Sequence, residues 1–161
     1  MKDRGFSLIE MVVVLVLLSL AVALVAPSLS RFSRSVGLKA AAKKVSGLLR
    51  YYRSEAVNKG QVYQVLFDPE LRELKVKPME STEEKGEDKP PQKIYSLPQG
   101  IRMKEIKVES PQYPSDIPSI EFYPNGGSNG GTILLDLESE DRRGYKIKIH
   151  FLTGMVEVES V

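Results

Sequence analysis

The chain has no cysteine, a single histidine, and no charged residue between positions 11 and 26. Without cysteine there are no disulfides, no cysteine-ligated zinc and no thiol catalysis. An oxidising compartment permits disulfides but does not require them, so location must be read from elsewhere. The one histidine, His150, sits in an alternating strand pattern with no HExxH, second histidine or nucleophile around it. That favours a structural or surface role for it. The reading is therefore of a protein that is not an enzyme and implies no cofactor and no metal.

What is present is segregated. The 161 residues suit one domain with a modest core and are too few for two ordinary domains plus an anchor. The hydrophobic fraction of 42% is ordinary, but the apolar residues crowd into the first 26 positions. The net charge of +2 is likewise a sum of unlike parts. Residues 28–59 carry eight Lys/Arg against Glu55 alone, whereas residues 60–161 carry thirteen against eighteen Asp/Glu. An acidic distal domain repels phosphate backbones, so nucleic acid is disfavoured as its partner, and only the proximal basic stretch offers a polyanion contact.

From Phe6 to Ala26 the chain reads FSLIEMVVVLVLLSLAVALVA, with Glu10 as its sole charge. As a helix these residues span about 31 Å, a membrane-crossing length. A cleaved secretory signal has a shorter apolar region and a small-x-small site on its far side, so this anchor is expected to be retained. A carboxylate near hydrocarbon costs about 2.5–3.5 kcal/mol on insertion scales and calls for a partner. The competing reading is that Glu10, near the end of the span, snorkels to the interface or stays protonated.

The letters G-F-S-L-I-E from Gly5 to Glu10, behind the short charged leader MKDR, resemble the type III signal of type IV pilins and type II secretion pseudopilins. The resemblance implies that a prepilin peptidase removes residues 1–5 by cutting after Gly5, and that the new N-terminus at Phe6 is N-methylated. It also implies that Glu10 pairs during assembly with the terminal ammonium of a neighbouring subunit. The chemistry is coherent: Gly5 has no Cβ to obstruct a protease cleft, and cleavage creates a cation able to neutralise a buried carboxylate. Pro27 falls where that family often weakens its helix, and its missing N–H and ring clash are expected to kink or melt the rod. The positive-inside count opposes this topology, because Arg31, Arg34, Lys39, Lys43 and Lys44 after the span outnumber Lys2 and Arg4 before it. The signal motif is given precedence.

Residues 6–27 are thus read as the transmembrane and filament-core helix, continuing as an amphipathic helix over 28–59. That second part has no internal proline and ends at a basic last turn and Gly60. Gly37 is its weak point. Val45, Leu48, Leu49, Tyr52 and Ala56 share one face, expected to lie under a sheet, while Leu29, Phe32 and Val36 fall roughly opposite. Lys39, Lys43, Arg50 and Arg53 are read chiefly as a solvated face, with anionic headgroups or acidic neighbouring subunits as the other options.

After Gly60 the pattern alternates. Strands are predicted at 61–67, 73–78, 93–97, 101–109, 119–123, 132–138, 145–151 and 155–159. Asp68-Pro69 marks a hairpin between the first two. The last two form a terminal hairpin with Ile147, Ile149, Phe151, Val156 and Val158 facing inward. Residues 79–92 are charged and lack an apolar period, which predicts a flexible exposed loop. The fold class expected is α+β: a long N-terminal helix packed on a mostly antiparallel β-sheet or sandwich domain over 60–161.

The stretch FYPNGGSNGG from Phe122 to Gly131, with a terminal TGMVEV, resembles the GspH/FimT group of minor pseudopilins and minor pilins. The resemblance implies a structural subunit that joins or caps a pseudopilus of a type II secretion system. Its implied partners are other major and minor pseudopilins, or pilins, and an inner-membrane assembly platform. The implied location is the bacterial inner membrane, with the N-terminus cytoplasmic and the C-terminal domain periplasmic. The alternative is a FimT-like minor type IV pilin that captures DNA through basic residues near its C-terminus. Residues 154–161 have Glu157 and Glu159 and no Lys or Arg, although Arg142, Arg143, Lys146 and Lys148 lie close by. A third class, an anchored β domain that never polymerises, requires the leader match to be accidental. The glycines at 126, 127, 130 and 131 precede a strand, not a helix, and so read as a turn and not a phosphate cradle. Asp136, Glu138, Glu140 and Asp141 lack EF-hand spacing, and an acidic turn explains them as well as calcium does.

Overall fold

The computed structural model describes residues 7–79, 92–110, 115–138 and 140–161, and of 23–32 and 140–143 the backbone alone. One helix, α1 (Leu8–Lys59), runs for 52 residues. It opens on Ser7, whose carbonyl accepts from the N–H of Glu10 at 3.1 Å and of Met11 at 3.2 Å. It closes where Gly60 takes the left-handed conformation (φ 63°) and Gln61 N–H reaches back to the carbonyl of Ala56 at 3.2 Å. That bond satisfies a carbonyl the helix end would otherwise leave orphaned, which is why the basic turn and glycine stop here. The helix backbone is continuous through residue 27, so Pro27 does not melt it. A proline removes one ladder bond, and the turns on either side keep theirs.

The chain divides into two compact units between Val36 and Gly37. In the first, every described side chain from Leu8 to Val22 is exposed. Among the described residues no helix is long and apolar enough to cross a membrane. The expected span needed residues 23–27 as well, and their side chains lie outside the described set. Leu29 and Phe32 of the proximal stripe fall outside it too, whereas Val36 is exposed.

In the second unit, the rest of α1 and all eight strands share one core. The second unit therefore begins well before residue 60, with the distal half of the helix belonging to the globular domain. Leu38, Ala41, Ala42, Val45, Leu49, Tyr52 and Ala56 recur at three- and four-residue steps and are all buried. Leu48, expected on this face, packs at its edge.

The strands form two antiparallel sheets. In the first, β1 (Val62–Asp68) and β2 (Glu73–Met79) make the predicted hairpin, flanked by β3 (Lys93–Ser96) and β5 (Ser119–Phe122), giving the order β3-β2-β1-β5. In the second, β4 (Ile101–Val108), β6 (Gly131–Leu137), β7 (Glu140–Ile149) and β8 (Val156–Ser160) follow in the order β4-β6-β7-β8. Val65, Phe67, Leu74, Val76, Ile120 and Phe122 of the first sheet meet Ile133, Leu135, Ile147 and Ile149 of the second and the buried face of α1 in one cluster. Met79 belongs to β2 and not to the predicted loop, of which 80–91 lie outside the described residues. A register shift at Met103/Glu105 in β4 and another at Asp136/Leu137 in β6 interrupt the second sheet. Arg72, between β1 and β2, pairs with Glu138, between β6 and β7, at 3.1 Å and links a turn of the first sheet to a turn of the second.

Candidate assembly surface

Of the N-terminal motif, Gly5 and Phe6 lie outside the described residues, and Glu10 is described. It is the third residue of α1 and exposed. An acid in the first helical turn sits favourably near the positive end of the helix dipole. The start of the helix is thus a favourable place for Glu10, and no described residue covers its carboxylate.

Along the distal helix the predicted basic face splits in two. Lys39, Lys43 and Lys44 are exposed. Arg50, exposed, and Arg53, half-buried, do more than face solvent: Arg50 Nη2 donates to the carbonyl of Val156 at 2.7 Å, and Arg53 Nε donates to those of Gly126 at 3.0 Å and Thr153 at 2.8 Å. A guanidinium carries its donors in a planar fork, so it can satisfy loop carbonyls that no strand partner reaches. The readable signal was two arginines three residues apart beside a glycine stop, in a chain with two glycine-bearing turns to fasten.

Those turns meet at one end of the domain. The glycine-rich stretch is a turn, as predicted: Gly126 N–H donates to Tyr123, Tyr123 N–H to Gly127, and Asn125 Oδ1 accepts from Gly127 N–H at 3.0 Å. Ser128 N–H then donates to the carbonyl of Phe151 at 3.0 Å, joining this turn to the β7–β8 loop. Phe151 was expected to face inward with Ile147, Ile149, Val156 and Val158. The first two and Val156 are buried and Val158 packs on the core, but Phe151 is 48% exposed. Regular pairing stops at Ile149 opposite Val156, so the two-residue period that would turn Phe151 inward has already ended. With Leu152 at 82% and Met155 at 54%, Phe151 makes an exposed apolar tip.

The outer face of the terminal hairpin is charge-balanced. Lys148 stands opposite Glu157 and Lys146 opposite Glu159, and His150 Nε2 lies 3.2 Å from Glu157 Oε2. Facing acids on neighbouring positions reduce the pull of these lysines on a phosphate backbone. The side chains of Arg142 and Arg143 lie outside the described residues. Of the acids considered for calcium, Asp136 is gripped by Arg102 through two bonds of 2.8 and 3.1 Å, and Glu138 by Arg72. Those of Glu140 and Asp141 are not described.

Two further features were not anticipated. Tyr52 and Tyr95 share a hydroxyl–hydroxyl bond of 2.9 Å between α1 and β3, and burial together with that bond pushes the Tyr52 phenol up. Gln64, Ser119, Glu121, Ser128 and Asn129 form a buried polar set. In it Gln64 Nε2 donates to Ser119 Oγ, Asn129 Nδ2 donates to the Ser119 carbonyl, and Asn129 Oδ1 accepts from Glu121 N–H. These polar residues are enclosed, and the bonds named match donors to acceptors, while the buried Gln64 Oε1 has no partner among the described residues.

A long helix whose distal half walls a core closed by two antiparallel sheets is the pilin-like α+β architecture. The chain belongs to the family described as type II transport protein GspH, whose model matches residues 41–153. Residues 1–26 match the prokaryotic N-terminal methylation motif, in keeping with a membrane-anchored protein. Among relatives, it is 29% identical over 153 residues to type II secretion system protein H of Xanthomonas campestris pv. campestris, covering 95% of this chain and 81% of that one. The fold is similar to that of the minor pseudopilin EpsH of Vibrio cholerae, with TM-score 0.59, 15% identity, and coverage of 76% of this chain and 96% of that one. It is also similar to the type IV minor pilin FimU of Pseudomonas aeruginosa, with TM-score 0.55, 19% identity, and coverage of 76% and 92%.

Proposed function

We propose that the chain is a minor pseudopilin of a type II protein secretion system, a structural subunit whose helix joins the pseudopilus and whose β domain contacts other pseudopilins. The observation that carries this reading is a GspH-family domain standing directly behind an N-terminal methylation motif. Its work is assembly and not catalysis. A prepilin peptidase cuts after Gly5, Phe6 becomes the methylated N-terminus, and Glu10 receives the ammonium of a neighbouring subunit. The apolar stretch from Phe6 to Pro27 anchors the chain in the inner membrane before assembly on a membrane platform. Its N-terminus is cytoplasmic and its β domain periplasmic.

Support for the assembly role comes from the uncovered apolar side chains of Leu8–Val22, which none of the described residues buries. Exposure on that scale requires lipid or other subunits. The minor type IV pilin reading draws on the FimU likeness, which concerns fold alone. The acids opposite Lys146 and Lys148 weigh against DNA capture.

Co-expression with a prepilin peptidase, followed by intact-mass measurement, tests the reading. The expected chain lacks residues 1–5 and carries one added methyl group. A full-length chain beginning at Met1 in the presence of active peptidase overturns it.

A further inference from the structure

Of the three asparagines in the chain, Asn125 and Asn129 each precede a glycine, whereas Asn58 precedes Lys59. Asparagine before glycine leaves its side-chain amide most open to attack by the next backbone nitrogen, because glycine has no Cβ to crowd the approach. Both pairs stand in the glycine-rich turn after β5, and the fold treats them differently. Asn129 is fully buried, its Oδ1 accepting from Glu121 N–H at 2.9 Å and its Nδ2 donating to the Ser119 carbonyl at 3.1 Å. The nitrogen that follows it is also tied down, since Gly130 N–H donates to Ser128 Oγ at 3.1 Å.

Asn125 is exposed. Its Oδ1 accepts from Gly127 N–H at 3.0 Å, a bond that folds the side chain back over the intervening peptide and holds Cγ alongside Gly126 N. The same N–H points at the atom on which negative charge gathers when a nucleophile adds to Cγ, so it stabilises that charge as an oxyanion hole does. The opposing contact is the bond from Gly126 N–H to the Tyr123 carbonyl at 2.9 Å, which must open before the nitrogen attacks. That bond closes a turn through Pro124 and Asn125, both exposed, whereas the Asn129 side chain would have to break two bonds inside the core.

We propose that Asn125 is a site of self-modification, converting through a succinimide to isoaspartate and aspartate, and that the fold protects Asn129 from the same reaction. Gly126 N attacks Asn125 Cγ; the new C–N bond forms as the bond from Cγ to Nδ2 breaks, and ammonia leaves with the proton that Gly126 N carried. Water then opens the imide at either carbonyl. Opening at the main-chain carbonyl of residue 125 gives isoaspartate, which routes the backbone through the side-chain carbon, and opening at Cγ gives aspartate. The position matters because the Gly126 carbonyl accepts from Arg53 Nε at 3.0 Å and would lie 2.5 Å from a Cβ on Gly154. An extra backbone atom just before Gly126 moves that carbonyl off its donor and loosens the junction of the two turns. Aspartate, by contrast, keeps an acceptor for Gly127 N–H. The inference does not depend on the assembly reading.

The full-length chain in detergent is held in mildly alkaline buffer, sampled over days, digested, and read by peptide mass spectrometry, with fragmentation separating isoaspartate from aspartate. A matched sample is held in denaturant. In the folded chain Asn125 is expected to gain the mass difference between water added and ammonia lost. Asn129 is expected to convert at least roughly tenfold more slowly, the factor that two hydrogen bonds kept closed sustain. In denaturant the two positions convert at similar rates. The unfolding midpoint of the aged parent chain is expected to fall, that of Asn125→Gln to hold over the same period, and that of fresh Asn125→Asp to stay near the fresh parent. Equal rates at the two positions in the folded chain, or an Asn125 that stays intact while the denatured sample converts, overturns the proposal. A contrast that survives in denaturant also overturns it, because the difference would then come from the flanking letters and not from the fold.

Discussion

Arg53 Nε lies 3.0 Å from the carbonyl oxygen of Gly126, and from that position it also reaches the carbonyl of Thr153 at 2.8 Å. One charged donor on the helix thus fastens two turns that are remote in sequence. Hydrogen bonds to charged groups are worth about 1.5–3 kcal/mol each. Arg53 is only half-buried, so Arg53→Ala is expected to cost about 2 kcal/mol in all, with Arg53→Lys recovering part of it. Thermal unfolding of the full chain in detergent, followed by circular dichroism, checks this. An unchanged midpoint in Arg53→Ala would mean that the clamp is ornamental.

Gly154 sits on the other side of the same junction. Its φ is +59°, and a Cβ there would come within 2.5 Å of the Gly126 carbonyl and 3.0 Å of Arg53 Nε. Backbone cannot retreat as the end of a flexible side chain can. Gly154→Ala is therefore expected to destabilise by more than about 1 kcal/mol, the cost of the left-handed conformation alone. Gly47→Ala, in open space on the helix, should raise the unfolding midpoint in the same assay. The two alanines moving the midpoint in the same direction would contradict the packing described.

A third expectation concerns acid. The Asp68 carboxylate accepts from Leu71 N–H at 3.0 Å and pairs with Lys75 Nζ at 2.9 Å. The backbone bond first and the lysine second hold it below its ordinary value. A depressed folded pKa means that its stabilising contribution is complete above the unfolded value of about 3.9 and is lost as pH falls through the lower folded value. Asp68→Asn should therefore lower the unfolding midpoint near neutrality and converge with the parent chain in strong acid. Parallel curves down to the lowest pH would show that Asp68 plays no part in the acid limb.

Much of this architecture was legible because local rules and global packing agree. Alternation located all eight strands, Asp68-Pro69 and Gly154 marked two hairpins, and Lys59-Gly60 fixed the helix end. The misses share a cause, since each depends on what a residue meets far away in sequence. Ala41 and Ala42 are buried on the core face of α1, but alanine adds little to an apolar period, so that face was read as beginning at Val45. The bonds of Arg50 and Arg53 went unread because loop carbonyls 73 to 106 residues downstream leave no local trace. Phe151 looked inward because the alternation continues in sequence past the point where pairing with β8 ends. The division of eight strands into two sheets of four was not readable at all, since strand order depends on long-range pairing. The N-terminal motif was the opposite case: Gly5 and Phe6 lie outside the described residues, and the role proposed for Glu10 rests on the letters.

Glu10 gives the most direct test of assembly. Within one chain its role is slight: an exposed acid in a first helical turn contributes about 0.3–1 kcal/mol through the helix dipole. Such a loss leaves insertion, cleavage and folding essentially intact. Between subunits the same carboxylate would lose an ammonium partner in an apolar setting, where breaking a buried pair costs about 3–5 kcal/mol. Glu10→Leu and Glu10→Gln should therefore be cleaved and methylated like the parent chain and still fall out of the filament. Incorporation is expected to drop by more than roughly tenfold, since 1.4 kcal/mol already corresponds to that factor. Quantifying the processed chain in sheared filaments against the membrane fraction reads this directly. Glutamine keeps the size and polarity of the side chain and removes only its charge. If the glutamine variant assembles at parental levels, the charge pairing is wrong even though the anchor and the fold remain right.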